Sequence, residues 1–440
     1  MPQGSETARA KTADQLIKEY HDVFEGALGT LPGTQRLELD PSVTPTISPS
    51  RRVPLALKPR LKQELERLTS LRVIAPPTDW VSNVVVATKP SGDLRICIDP
   101  KGLNKALKRE RYPIPVIEDV LPELSKARVF TKVDARNGYW HVVLEEKSAK
   151  LTTFDTPFGR YYWRRLPFGL SVSSEIFQKR IHQALDGLPG LLDVHDDIVI
   201  YGTGDTDEEA NADHDKNLET FLQRCRHKGI KLNKQKLKLK CTEFPYLGHL
   251  VTKEGLKPDP DKIKAVQEMP RPDNIKAVRR FCGFVNYLAK FMPKLSEVME
   301  PIRNLTCKES EWNWTHEHNK AFMRIKEMAT TAPLLKYYNP QEELTIQCDA
   351  SERGLGAALL QQGRPVAFAS RAMTETESRY AQIEKELLSV IFALDKFEQY
   401  AYGRPVTVES DHKPLEAIAK KPLRCAPKRL QGMFLKIQKV

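Results

Sequence analysis

Runs of aliphatic and β-branched residues, bounded by turn-forming residues, predict a series of short strands along the chain. One run, residues 129–134, ends in Asp134 and precedes a turn that contains glycine. Another run, residues 191–200, is interrupted by Asp196 and Asp197 and therefore predicts two strands joined by a turn. The pattern thus places carboxylates at strand ends in both runs.

Apolar residues at helical spacing predict helices between the strands. These helices cover residues 13–24, 58–71, 277–291 and 309–335, and one more starts at residue 261. Residues 88–99 predict two strands joined by a Ser-Gly-Asp turn, and residues 166–170 lead into a further helix. Residues 40–50 are rich in Pro, Ser and Thr and predict an extended linker. The mixture of separate strands and helices indicates an α+β fold class.

Asp196 and Asp197 place two like charges next to each other inside an apolar stretch, which is costly without a cation. A divalent metal ion would balance them, and Asp134 would supply a third carboxylate. An aspartate pair at a hairpin tip is also a common solvated turn, so the pair alone leaves both interpretations open. The order of strand-end aspartate, helix and aspartate hairpin favours the metal site.

The C-terminal third predicts a second set of carboxylates. A strand ends near Asp349, a meander over residues 354–369 follows, and a later strand ends at Asp411. The helix between them carries Glu386 on its apolar side, where an unpaired carboxylate is expensive. The surface residue Glu384 is the competing candidate on the same helix.

Composition favours a polyanionic partner. The net charge is +12 and the pI is near 9.2, and 440 residues are enough for roughly two to four domains. No apolar run has the length of a membrane-spanning helix, and the N-terminus lacks the core of a signal peptide. The seven cysteines have no paired spacing, which favours a reducing intracellular compartment without structural zinc.

From about residue 51 to the C-terminus, these motifs resemble, in their order, the reverse transcriptase and ribonuclease H region of gypsy-type long-terminal-repeat retrotransposon Pol polyproteins. The resemblance implies a right-hand polymerase with fingers, palm and thumb, then a connection segment and a ribonuclease H-like α/β domain. It implies RNA-directed DNA polymerisation on primed RNA or DNA templates. The implied segments are a linker or strap (1–52), fingers and palm (53–205), palm end, primer grip and thumb (206–275), thumb and connection helices (276–338) and the ribonuclease H-like domain (339–440).

The resemblance also implies roles for the acidic residues. Asp134 and Asp196 would be the principal ligands of two magnesium or manganese ions, with Asp197 completing the polymerase triad. Asp349, Glu386 and Asp411 would hold two ions in the ribonuclease H-like domain, which would cleave the RNA strand of RNA–DNA hybrids.

Further residues match positions that bind substrate in this family. Tyr139 would be the steric gate that selects deoxynucleoside triphosphates, and Lys236 would protonate the leaving pyrophosphate. The remaining substrate contacts would be Lys89 and Arg95 on the triphosphate, Phe168, Gly169 and Gln178 near the incoming base, and Leu247 and Gly248 in the primer grip. Core packing for the aromatic residues and solvation for the charged residues are the alternatives.

Two departures from the family pattern keep other functions open. Val194 stands where the family usually has an aromatic residue, followed by His195, and the chain stops at Val440 before the fourth acidic ligand of ribonuclease H. The ribonuclease H-like domain is therefore expected to be incomplete and its activity weak or absent. A catalytically decayed or host-adopted nucleic-acid-binding relic, or a scaffold subunit, is the alternative.

The resemblance finally implies partners and a place in the cell. The partners would be an RNA template, a DNA primer, RNA–DNA hybrid and deoxynucleoside triphosphates, together with the protease and integrase parts of the polyprotein; no protease motif is present in this chain. A homodimer is left open. The location would be the cytoplasm, within a virus-like particle, with the nucleus as a second site.

Overall fold

The computed structural model describes residues 11–48, 52–75, 80–88, 92–307, 312–412, 414–415 and 427–437. The chain forms two compact units. The first contains Met1–Val116 and Lys126–Thr242, and the second contains Ile117–Ser125 and Glu243–Val440. The five segment boundaries predicted from the sequence stay a prediction.

The helices of the first unit begin close to the N-terminus. They are Ala13–Glu19, His21–Phe24, Lys58–Ser70, Lys101–Ala106, Glu146–Leu151, Ser173–Leu185 and Asp207–Lys228, with 3₁₀ turns at Leu55–Leu57, Gly138–His141 and Lys234–Lys236. The predicted helix over residues 13–24 is broken at Tyr20, whose φ of −105° and ψ of 33° end the first helix. The helix Lys58–Ser70 buries Leu61, Leu65 and Leu68 on one side, as its helical spacing predicts.

Three sheets complete the first unit. The four-stranded sheet has the order Lys238–Cys241, Ala127–Asp134, Asp197–Thr203, Leu191–Val194. The five-stranded sheet has the order Ile74–Ala75, Gly159–Trp163, Phe154–Thr156, Ser82–Thr88, Leu94–Asp99. Thr34–Gln35 pairs in parallel with Val143–Leu144 in a short third sheet. The hairpin of residues 191–203, called the aspartate hairpin below, therefore lies in the same sheet as Asp134.

One hydrophobic core supports this unit from its N-terminus onward. Val133 and Ile198 of the four-stranded sheet belong to it, and so do Tyr20 and Phe24 of the first two helices. The backbone N–H of Leu232 donates to the carbonyl of Val23 at 3.0 Å. The N-terminal helices are therefore part of the unit that carries the aspartates.

The second unit combines helices with one antiparallel sheet and one mixed sheet. Its helices are Ile117–Val120, Pro260–Glu268, Ile275–Leu288, Leu295–Val298, Glu300–Asn304, His316–Thr330, Glu375–Ser378, Gln382–Lys396, Glu398–Ala401 and Lys428–Ile437, with 3₁₀ turns at Leu121–Lys126 and Ala289–Phe291. Its strands are Glu243–Tyr246, His249–Thr252 and Gly255–Pro258 in one sheet, and Arg364–Ala372, Gly354–Gln361, Leu344–Ala350 and Val406–Ser410, in that order, in the other.

The strand directions in the second of these sheets follow from the way its strands are connected. Leu344–Ala350 and the next two strands form an antiparallel meander, and the helix Gln382–Lys396 then returns the chain so that Val406–Ser410 pairs in parallel with Leu344–Ala350. A parallel pairing requires such a crossover.

Two sequence-based expectations concern the surface and the cysteines. Among the described residues, no helix is both long and apolar enough to cross a membrane. The cysteines in the described part of the chain are free thiols, namely Cys97, Cys225, Cys241, Cys282, Cys307 and Cys348; Cys425 lies outside the described residues.

Candidate active sites

Strand register brings the three N-terminal aspartates together. In the antiparallel pair of central strands, Asp197 lies directly opposite Asp134. The backbone N–H of Ala135 donates to the carbonyl of Asp196 at 2.9 Å, which ties the hairpin tip to the end of the neighbouring strand. The turn of the aspartate hairpin is therefore fixed beside Asp134, as the sequence predicts.

The turn itself has an unusual backbone. His195 adopts a φ of +57°, a region that side-chain-bearing residues rarely occupy. Gly138 faces the tip from the other side, and a Cβ atom there would lie 3.3 Å from the Cβ of Asp196 and 3.4 Å from the ring of Phe177. These contacts would be tighter than most Cβ contacts, so the absence of a side chain at Gly138 eases the close approach of the two loops.

Charge accumulates where the aspartates meet. Asp134 is only 8% exposed, and burial, together with the nearby charges of Asp196 and Asp197, raises its pKa above the ordinary range. Lys236 donates to Oδ2 of Asp134 at 2.6 Å, and Lys132 pairs with Asp197 at 3.1 Å. The carboxylates are thus held against ammonium groups.

The pKa of Lys236 shows that these carboxylates act on it as a group. Burial acts to lower that pKa, but the hydrogen bond to Asp134 and the charges of the three aspartates together raise it. Within the described part of the chain, no three His, Cys, Asp or Glu side chains are already drawn together into a metal shell. The donors of the triad are nevertheless carboxylate oxygens, which are the ligands that magnesium and manganese prefer. The residues present therefore fit a divalent ion, which would replace lysine as the counter-charge.

The predicted steric gate and base-facing residues form one aromatic cluster. The rings of Tyr139 and Phe168 lie 4.7 Å apart, and the guanidinium of Arg95 lies 5.1 Å from the centre of the Phe168 ring. The hydroxyl of Tyr139 lies 2.8 Å from that of Ser174. Gly169 has a φ of +112°, and a Cβ there would lie 1.9 Å from the carbonyl oxygen of Ile98. The backbone at Gly169 therefore packs directly against the strand Leu94–Asp99.

The side chain of Gln178 is buried and does not line an open substrate pocket. It is 1% exposed, and its Nε2 donates to the carbonyl and to Oδ2 of Asp193 at 2.9 and 3.0 Å. Its Oε1 accepts from the backbone N–H of His195 at 2.5 Å. The structure therefore shows Gln178 bound to the aspartate hairpin. Lys89, the other predicted triphosphate contact, lies outside the described residues.

The predicted primer grip is a tight hairpin between Glu243–Tyr246 and His249–Thr252. Its turn residues Leu247 and Gly248 have φ values of +47° and +74°. Tyr287 donates from its hydroxyl to the carbonyl of Leu247 at 2.7 Å and stacks on His249 at 5.2 Å. Burial, reinforced by the charge of Lys290, lowers the pKa of His249 to about 4, so this imidazole is neutral at pH 7.

The second carboxylate set converges at one end of the mixed sheet. Cys348 lies opposite Ser410 in the parallel strands, so Asp349 and Asp411 follow at neighbouring strand ends. Both line a cavity of about 520 Å³. Glu386 is 3% exposed; its Oε1 accepts from Gln382 at 2.6 Å, while its buried Oε2 has no hydrogen-bond partner.

The same centre carries its own ammonium group. Burial, followed by the charges of Asp411 and Asp349, raises the pKa of Glu386. Lys294, whose φ is +53°, forms an ion pair with Asp349 and lines the same cavity. An unpaired buried carboxylate oxygen beside two further carboxylates fits a hard divalent cation.

Four contacts at these sites are not predicted from the sequence. They are the pairing of Lys132 with Asp197, of Lys294 with Asp349, of Tyr287 with Leu247 and of Asp193 with Gln178. Lys132 and Asp193 each stand in a strand beside a predicted site residue, and an ionisable group in an apolar strand is a usable signal. The sequence holds no such signal for Lys294 or Tyr287, because neither is an ionisable group within an apolar strand.

Comparison with known proteins agrees with this geometry. Residues 87–251 match the family "Reverse transcriptase (RNA-dependent DNA polymerase)", and residues 314–408 match the family "RNase H-like domain found in reverse transcriptase". The chain is 31% identical over 421 residues to the retrovirus-related Pol polyprotein from transposon 412 of Drosophila melanogaster, covering 91% of this chain and 33% of that protein. It is 33% identical over 338 residues to that from transposon gypsy of the same fly, covering 73% and 32%.

Solved structures show the same fold. The foamy viral protease-reverse transcriptase dRH in complex with double-stranded DNA matches with a TM-score of 0.87 at 23% identity, over 97% of this chain and 76% of that chain. The foamy viral protease-reverse transcriptase in complex with RNA/DNA hybrid matches with a TM-score of 0.80 at 22% identity, over 96% and 58%.

The two carboxylate centres and these matches define a reverse transcriptase region followed by a ribonuclease H-like domain. The chain belongs to the Pol proteins of gypsy-type long-terminal-repeat retrotransposons, and it spans about a third of the length of the curated relatives named above. The resemblance and the fold class predicted from the sequence are confirmed.

Proposed function

We propose that this chain copies primed RNA and DNA templates into DNA by two-metal nucleotidyl transfer. The observation that carries the proposal is the register of the four-stranded sheet, which sets Asp197 opposite Asp134 and ties the Asp196 backbone to Ala135. Three carboxylates at the end of one sheet, with a matching family over residues 87–251, are the polar core of such a centre.

Asp134 and Asp196 would hold two magnesium or manganese ions, with Asp197 as the third carboxylate. Such ions, when bound, lower the pKa of the primer 3′-hydroxyl and neutralise the charge that develops on the triphosphate. Lys236 would leave Asp134 when a metal ion replaces it as counter-charge. Its ammonium group, with a raised pKa, would then be available to protonate the leaving pyrophosphate.

The aromatic cluster would select the nucleotide. Tyr139 is packed between Phe168 and Phe177, with its hydroxyl on Ser174, so its ring has little freedom to move aside. A fixed ring can exclude a ribose 2′-hydroxyl by contact, which would favour deoxynucleoside triphosphates. Arg95, and Lys89 by family position, would contact the triphosphate.

The nucleic acid partners follow from charge and from the structural neighbours. The net charge of +12 suits a polyphosphate backbone, and the foamy viral neighbours were solved with double-stranded DNA and with RNA/DNA hybrid. We extend those partners to this chain. The protease and integrase parts of a Pol polyprotein, a cytoplasmic virus-like particle or the nucleus as location, and a homodimer belong to the same proposal.

The second centre would hydrolyse the RNA strand of a hybrid. The observation that favours it is Glu386, whose buried Oε2 lacks a partner beside Asp349 and Asp411. Asp349, Glu386 and Asp411 would hold magnesium or manganese there.

The polymerase proposal is tested by deoxynucleotide incorporation on a primed RNA template with magnesium. We expect incorporation by the natural chain, none by Asp196→Asn, and unchanged incorporation by Asp186→Asn, a matched change at an exposed position. Binding of the primer-template should be equal in all three. Binding without incorporation in the natural chain would instead support the relic or scaffold alternative.

A further inference from the structure

We infer that Asp193 is a positioning residue for the polymerase centre, acting through Gln178 on the turn that carries Asp196. The inference rests on the proposed polymerase function and deepens it. Asp193 lies in the strand Leu191–Val194, in which Leu192 and Val194 are buried apolar residues. A carboxylate in that setting calls for a physical reason.

The side chain of Asp193 is engaged on both of its oxygens. It is 9% exposed. Its Oδ2 accepts from Nε2 of Gln178 at 3.0 Å, and its Oδ1 lies 3.2 Å from Nδ1 of His182. Burial raises the pKa of Asp193, while His182 and Gln178 oppose that shift. The carboxylate is therefore held between a helix residue it orients and a half-exposed imidazole that covers it.

Gln178 has a donor end and an acceptor end, and the carboxylate and the backbone carbonyl of Asp193 both favour the donor end facing them. A carboxylate only accepts hydrogen bonds, so it draws the NH₂ group of Gln178 toward itself. That leaves Oε1 of Gln178 facing the backbone N–H of His195, which donates to it at 2.5 Å. In the opposite orientation, amide oxygen would face carboxylate oxygen, and two N–H groups would face each other.

The hydrogen bond to the backbone of His195 matters because His195 forms the turn that precedes Asp196. His195 is held at a φ of +57°, a strained conformation for a residue with a side chain, so it persists only where its surroundings fix it. Asp196 follows directly. Loss of the Gln178 contact would let the turn relax, and a shift of about 1 Å in a reacting group can lower a rate by about a hundredfold.

The test asks whether one substitution, Asp193→Asn, lowers kcat in the natural chain but raises it in a Gln178 variant. A purely structural role does not produce this reversal. Asp193→Asn has the same shape but removes the carboxylate acceptor, so only the backbone carbonyl of position 193 still favours the native orientation of Gln178. We therefore expect kcat to fall roughly tenfold. The KM for nucleotide and the Kd for primer-template should change by less than about threefold, since Asp193 is buried and offers neither ligand a surface. Asp186→Asn, the exposed control, should keep full activity.

Gln178→Glu provides the second arm of the test. It places a carboxylate against that of Asp193 and should lower kcat further than Asp193→Asn does. In this background, Asp193→Asn supplies an NH₂ group that donates to the introduced carboxylate, so the double variant should recover activity relative to Gln178→Glu alone. The same substitution would thus harm the natural chain and help the variant.

A readout besides activity separates this inference from the polymerase proposal. In an Asp349→Asn background, which weakens the second centre, Mn²⁺ binding followed by electron paramagnetic resonance should show weaker binding after Asp193→Asn, with a melting temperature within a few degrees of the parent. Losses of kcat that simply multiply in the double variant, or Mn²⁺ binding that does not change, would overturn the positioning role. A natural chain that binds Mn²⁺ but incorporates no nucleotide would overturn the polymerase proposal alone.

Discussion

Lys236 donates to Asp134 at 2.6 Å, so an ammonium group balances the most buried carboxylate of the triad. The same lysine is the predicted donor of a proton to pyrophosphate. Its two roles exclude each other in time, because a proton donor bound to Asp134 is not available to a leaving group.

This exclusion predicts opposite changes in two quantities when Lys236 is replaced by Met. The magnesium concentration for half-maximal incorporation should fall, because no ammonium competes for Asp134, while kcat should fall about a hundredfold with the loss of the proton donor. Titration of incorporation with magnesium measures both. Lys234→Met, which removes a lysine that pairs with Glu25 instead, is the control; a magnesium requirement that rises in Lys236→Met would contradict the competition.

The second prediction concerns Glu386 and pH. Burial raises the pKa of this carboxyl above its unfolded value, so the folded state binds the proton more tightly than the unfolded state does. Stability from this group is therefore present below the ordinary glutamate pKa and is lost as pH rises through the folded pKa.

Glu386→Gln removes this pH-dependent loss of stability, because the amide carries no charge at any pH. Without metal at pH 7, we expect the variant to be more stable than the natural chain, on the order of 1 kcal/mol, and the difference to shrink as pH falls toward 4. Thermal unfolding across this pH range measures it, with Glu384→Gln on the same helix as the comparison. A variant less stable at neutral pH would show that Glu386 is well solvated or paired.

The third prediction concerns Lys294, which forms an ion pair with Asp349 at the second centre. Replacing it by Met should strengthen Mn²⁺ binding there, because the competing ammonium is gone. Electron paramagnetic resonance of Mn²⁺ in an Asp134→Asn background isolates this centre. Lys396→Met, an exposed change of the same charge in the same unit, should have no effect; equal Mn²⁺ affinity in both lysine variants would refute the competition.

A pair of glycine variants tests the strain in the turn of the predicted primer grip. Gly248→Ala should destabilise the protein by more than about 1 kcal/mol, because φ is +74° and the new Cβ would lie 1.9 Å from the Tyr287 hydroxyl. Gly283→Ala should stabilise it by up to about 1 kcal/mol, since that glycine is helical with nothing within 4 Å of the added atom. Chemical denaturation compares them, and a shift of the same sign in both would contradict the strain at Gly248.

The sequence predicts the parts of the fold that local pattern controls. The strand to Asp134, the aspartate hairpin, the meander and the helix of Glu386 all lie where alternation, turn residues and helical spacing indicate. The break at Tyr20 was missed, because helical spacing continues through it while the backbone does not. Boundaries of this kind depend on packing that the local sequence does not express.

Within the candidate sites, residue types were easier to predict than surroundings. The carboxylates could be found because charge in an apolar strand or helix face is costly. The orientation of Gln178 toward Asp193, and the ion pair of Lys294 with Asp349, depend on partners that only the folded chain brings near. Such contacts join distant segments, so no spacing rule reports them.

The N-terminal helices share a core with the aspartate hairpin, although the family match begins only at residue 87. Tyr20, Phe24 and Leu61 are each at most 3% exposed, and Val23 accepts a backbone hydrogen bond from Leu232. The segment matched by the reverse transcriptase family model and the segment that shares one hydrophobic core are therefore different lengths of chain. We expect a recombinant fragment that begins at residue 87 to expose apolar residues of this core, such as Val133 and Ile198, and to aggregate.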